Sequence, residues 1–127
     1  IFGDGFLPKD FPKGHEKWQH VRDYYKRGGF GDGGALSTAR DMEIFYRALL
    51  QDKTLLRADA MRFLVQPPAG QEYGAGLVVQ DNFIGHSGGD MGFSSLALFD
   101  MNTQNFAITL VGDGDANTDW VWDILDR

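Results

Sequence analysis

The sequence predicts an α+β fold, an antiparallel β-sheet flanked by helices, on three observations. Apolar residues between Thr38 and Val65 recur at helical spacing. Those between Tyr73 and Val111 fall instead into short runs rich in β-formers. The turns between these runs are too short for crossover helices, so neighbouring strands must run antiparallel.

The first helix is expected from about Thr38 to about Leu50. Met42, Phe45, Tyr46 and Leu49 follow the i, i+3, i+4, i+7 pattern of an amphipathic helix. Thr38, just after Ser37 and with Asp41 three residues on, forms a capping-type start. A second helix is expected over Ala58 to Val65. It is stopped by Gln66-Pro67-Pro68, because proline lacks an N–H and disfavours helix in the residue before it. Strands are expected over Tyr73–Gln80, Phe83–His86, Gly92–Asp100 and Asn105–Val111. Asp81-Asn82, Ser87-Gly88-Gly89-Asp90 and Asp100-Met101-Asn102-Thr103 have the chemistry of the intervening turns. Asn117 or Thr118 can cap a terminal helix carrying Trp120, Val121, Ile124 and Leu125 on one side.

Ile1 to Gly34 reads differently. Glycine, proline and charge are dense there, and aromatic residues such as Trp18, Tyr24 and Phe30 follow neither period. The expectation is an irregular segment, residues 1–34, lying over the rest of the fold, with residues 35–127 holding the helices and sheet. No internal repeat or low-complexity tract is present.

Composition narrows the function classes. The 127 residues suit one ordinary domain or half of a larger one. A hydrophobic fraction of 43% with ten Phe, three Trp and four Tyr belongs to a packing chain. A net charge of -6, with no cluster of Lys or Arg, opposes binding to nucleic acid. No apolar run approaches the roughly 20 residues needed to span a bilayer. The absence of cysteine excludes disulfide and thiolate chemistry and leaves the compartment open.

The segment Ile84-Gly85-His86-Ser87-Gly88-Gly89-Asp90 is the most informative chemically. A strand ends in a histidine followed by a hydroxyl residue and two glycines, which let a ligand approach the backbone. Free N–H groups on such an edge can bind a substrate carbonyl or stabilise an oxyanion. His86-Ser87-Gly88 resembles the third motif of the serine β-lactamase and penicillin-binding-protein-like hydrolases, Lys-Thr-Gly, in the His-Thr-Gly or His-Ser-Gly form of class C-like esterases and D-amino-acid peptidases. Gly33-Gly34-Ala35-Leu36-Ser37-Thr38-Ala39-Arg40-Asp41-Met42 and Tyr73-Gly74-Ala75-Gly76-Leu77 also resemble family segments, in family order.

The resemblance implies the C-terminal half of a β-lactamase/transpeptidase-like fold and acyl transfer to water through a seryl ester. The small-molecule acyl substrate would be an ester, a peptide or a β-lactam. It requires no cofactor and no metal. His86 would stand in the lysine position and send a hydrogen bond or charge towards the second motif and the substrate. Ser87 would hydrogen-bond substrate, Gly88 would give clearance and the Gly89 N–H would be an oxyanion-hole donor. A neutral imidazole recognises carboxylate less well than an ammonium, which tilts the expectation towards an esterase or peptidase. The cell envelope or periplasm is the compartment that the family suggests.

The departures are as telling. The four serines, Ser37, Ser87, Ser94 and Ser95, lead three residues on to Arg40, Asp90, Ala97 and Leu98, so no Ser-x-x-Lys is present. No Tyr-x-Asn is present either, since the second residue after Tyr24, Tyr25, Tyr46 and Tyr73 is Lys26, Arg27, Ala48 and Ala75. Both motifs precede this region in the family, so the expectation is a chain inert alone, whose partner is the missing N-terminal half of the same domain. The rival readings are a non-catalytic binding module that kept the sheet and a complementation partner for a nucleophile on another polypeptide.

Three weaker patterns carry little. Asp113, Asp115, Asn117 and Asp119 have calcium-loop spacing, but Thr118 stands at the glycine position and Ile124 at that of the bidentate Glu. His15 and His20 lack a third zinc ligand. Gly28–Gly34 lacks the Gly-Lys-Ser/Thr ending of a phosphate cradle.

Overall fold

The computed structural model describes residues 15–16, 19–20, 35–90 and 92–125. The fold is α+β, as expected: a four-stranded antiparallel sheet with helices on both faces. The phosphate-cradle pattern at 28–34 and most of the segment 1–34 lie outside the described residues. Within that segment, β1 (His15–Glu16) pairs with β2 (Gln19–His20), a local regularity that the sequence did not signal.

Helix α1 spans Ala39–Tyr46, and its cap is the expected one: Thr38 Oγ1 accepts from the Asp41 N–H at 3.1 Å. The helix then widens into a π turn over Arg47–Gln51. That turn changes which residues face the core. Phe45, expected inside, is 49% exposed, whereas Tyr46, Leu49 and Leu50 are buried. Arg47 pairs with Glu43 at 2.9 Å and lies 5.2 Å above the Phe106 ring, joining helix to sheet. Helix α2, Ala58–Val65, has the expected bounds and ends at an extended Gln66 before the two prolines.

The sheet runs in chain order: β3 (Val78–Gln80), β4 (Phe83–Asp90), β5 (Phe93–Asp100) and β6 (Phe106–Val111). Two strand expectations need correction. Tyr73–Leu77 is no strand but a loop with a single bridge, Tyr73 to Val78, because Gly76, at φ 102°, turns the backbone away. Ser87-Gly88-Gly89-Asp90 is no turn. These residues continue β4, paired with Leu96, Ser95, Ser94 and Phe93, and the reversal falls one step later, with Gly92 at φ 74°.

Each face has its own core. Ile84, Ala97 and Phe99 pack with Tyr46, Leu49, Leu50, Met61 and Leu77 beneath α1 and α2. Leu96 and Leu98 pack with Val121 of α3 (Trp120–Leu125) on the other side. Burying each Leu or Ile contributes about 1.5–3 kcal/mol, so the α1–α2 face dominates stability. The stripe on α3 is narrower than expected: Val121 and Leu125 face the sheet, while Trp120 and Ile124 are about half exposed. Ahead of it, Asn117 Oδ1 accepts from the Asp119 N–H and the Thr118 carbonyl from the Val121 N–H. Among the described residues no helix is long and apolar enough to cross a membrane.

At the closed end of the β5–β6 hairpin, the buried Asp100 carboxylate accepts from Thr103 Oγ1, Asn82 Nδ2 and the Asn102 N–H at 2.6–2.8 Å. The hydrogen bonds from Thr103 and then Asn82 hold its pKa below the ordinary aspartate value, against the opposing effect of burial. Burial raises the pKa of the Tyr46 hydroxyl.

Candidate active site

His86, Ser87, Gly88 and Gly89 are consecutive residues of β4, so their Cβ directions alternate between the two faces. His86 and Gly88 share the face of Ile84 and Ala97, under α1 and α2. Ser87 and Gly89 share that of Leu96 and Leu98, towards α3. The histidine and serine adjacent in sequence therefore leave the strand on opposite sides.

Backbone direction decides what the edge can bind. Around the Tyr73–Val78 bridge, the Gly74 N–H donates to Leu77 O at 2.8 Å and the Val79 N–H to Glu72 O at 2.6 Å. Leu77 and Val79 thus point away from β4, which leaves Val78 and Gln80 to bond Gly85 and Phe83, their register partners. By strict alternation, the N–H and C=O of Ser87 and Gly89 face the same outer edge as those of Phe83 and Gly85. β3 reaches only as far as Gly85, so no described strand covers the edge at Ser87 and Gly89.

The glycines are not equivalent. A Cβ on Gly88 would lie 2.4 Å from Ser95 Oγ, so the space above Gly88 is taken by that hydroxyl. A Cβ on Gly89 would meet nothing within 4 Å. The open approach is at Gly89. Ser87 borders a small cleft of about 170 Å³, lined also by Phe83, Leu96, Leu98, Thr118 and Asp119.

His86 is anchored at both ring nitrogens. Nδ1 contacts the carbonyl oxygen of Ser87, and Nε2 lies 2.9 Å from Tyr73 Oη, with the two rings 5.6 Å apart edge to face. A carbonyl can only accept, so Nδ1 carries the proton, and in the neutral ring Nε2 must accept from the Tyr73 hydroxyl. Sequence reasoning missed Tyr73, because the contact spans 13 residues and passes the start of β3. It also passed over Ser95 at Gly88, which only the register reveals.

The remaining polar residues serve the fold. Ser94 Oγ donates to the carbonyls of Asp113 and Gly114 at 2.9 and 3.3 Å. Asp113 and Asn117 each accept from the backbone N–H two residues on. Among the described residues no group of three His, Cys, Asp or Glu could hold a metal ion.

The helix-flanked antiparallel sheet is the α+β arrangement that the sequence led us to expect. The chain belongs to the Beta-lactamase family, whose profile matches residues 6–120. No curated protein and no solved structure matches it.

Proposed function

We propose that this chain supplies the oxyanion and substrate-binding strand of a β-lactamase-like serine hydrolase, acting on an ester, peptide or β-lactam through a seryl ester. The observation that carries the proposal is the edge of β4 beyond Gly85, which no described strand covers and towards which the Ser87 and Gly89 backbone groups face. The Gly89 N–H is the oxyanion donor, and the room around Gly89 admits the acyl group. His86 binds rather than attacks.

The nucleophile comes from outside these residues. None of the four serines has a lysine three positions on, and Ser94 is committed to two carbonyls. One oxyanion donor contributes about 2.7–4 kcal/mol to a transition state, but without a nucleophile no acyl-enzyme forms. Mass spectrometry after incubation with a penicillin or an activated ester should therefore find the 127-residue chain unmodified. A stoichiometric adduct on any serine would overturn this. Titration with the same ligands should shift the amide resonances of Ser87 and Gly89. Gly89→Pro, which removes the N–H, should abolish the response, and Gly89→Ala should keep it. Equal responses in the two variants would remove Gly89 from the site.

A further inference from the structure

We propose that Tyr73 is a positioning residue for His86: its hydroxyl donates to Nε2 of the imidazole that the Ser87 carbonyl holds as the Nδ1–H tautomer, and it keeps the ring at the edge of β4 that no described strand covers. The inference deepens the reading of that edge as the substrate site, although its central observation, the Tyr73 Oη to Nε2 contact of 2.9 Å, is independent of any substrate.

The local backbone places Tyr73 for this work. α2 ends before Pro67-Pro68, and Gly70, at φ 77°, reverses the chain. Gly74 then packs so closely on the end of α2 that an added Cβ would lie 2.7 Å from Leu64 O. The two hydrogen bonds around the Tyr73–Val78 bridge fix the segment on the outer side of β3. From there the ring reaches His86, just beyond Gly85, the last residue of β4 paired with β3.

The chemical consequence is specific. With Nδ1–H committed to the Ser87 carbonyl and Nε2 occupied by Tyr73, neutral His86 has no free lone pair with which to take a proton from a substrate or nucleophile. Its part in the site is that of a fixed ring beside the Gly89 N–H, and a general base must come from elsewhere. Tyr73 Oη, on a residue 49% exposed, keeps capacity to accept a second hydrogen bond.

The test is a long-range proton–nitrogen spectrum of the imidazoles in the ¹⁵N-labelled chain, with the ring neutral and the His86 signals assigned by their loss in His86→Gln. Wild type should show one tautomer, with a protonated Nδ1 and a bare Nε2. Tyr73→Phe keeps the ring and its edge contact and removes only the donor. It should move the Nε2 resonance to that of a ring nitrogen without a hydrogen bond and weaken the ligand response at Gly89 about five-fold, the worth of one hydrogen bond. A wild-type ring protonated at Nε2 overturns the inference whether or not the variant folds, and so does an unchanged Nε2 resonance in a folded Tyr73→Phe. The two readings fail separately. Silent Ser87 and Gly89 amides with the predicted ring tautomer would remove the substrate site and leave Tyr73 as the positioning residue. Responsive amides with an unaltered ring would do the reverse.

Discussion

Gly85 and Gly89 stand four residues apart on one strand, on the same face, and are glycine for opposite reasons. At Gly85, β4 lies between β3 and β5, and an added Cβ would lie 2.0 Å from the Ala97 carbonyl oxygen. At Gly89, β3 has ended and the same atom would meet nothing within 4 Å. The first glycine is required by packing. The second is not, and its small size is useful only to something that approaches from outside. Close packing and open access on one strand separate the half that maintains the fold from the half available for binding.

Substitutions can break or sharpen this contrast. The largest effect should come from Gly85→Ala, since the obstacle is backbone and cannot rotate away. Denaturant unfolding should show a loss of about 3 kcal/mol, at the upper end for overpacking. A near-neutral result would dissolve the distinction. Next comes the closed end of the β5–β6 hairpin. Because Asp100 has a lowered folded pKa, its contribution is fully present above the unfolded aspartate value and declines as the pH falls through the lower folded value. The unfolding midpoint of wild type should therefore drop in acid more steeply than that of Asp100→Asn, and parallel curves would exclude the linkage.

Gly88→Ala should cost about 1 kcal/mol, because its obstacle is a hydroxyl that can turn, and adding Ser95→Ala should restore most of the loss. Failure of that rescue would mean that the strain lies in the backbone. The smallest effect belongs to Gly89→Ala, within about 0.5 kcal/mol of wild type in the same unfolding assay. A larger loss would show that Gly89 is held by the fold after all.

Local chemistry made much of the architecture legible. The Thr38 cap, the proline stop after α2 and the apolar runs of β5 and β6 are short-range signals, and each element formed where they placed it. The misreadings share a cause in long-range pairing. Ser87-Gly88-Gly89-Asp90 has the composition of a turn, and only its pairing with Phe93–Leu96 makes it strand. Phe45 fits a 3.6-residue period that the π turn over Arg47–Gln51 interrupts, so Leu50 enters the core instead. At the candidate site, the motif lies on β4. Which residues face which side, and the Tyr73 contact, came from register and from a loop whose path the sequence did not disclose.

The Asp100 carboxylate holds more than a turn. It sits opposite Phe83, at the end of the hairpin away from Gly89, and grips Asn82 on one side and Thr103 on the other. A slip of one residue between β4 and β5 would separate these partners, and it would also transfer His86 to the α3 face and Ser87 to the other. Which side of β4 carries imidazole and which carries hydroxyl is thus set by a polar latch at the far end of the strand.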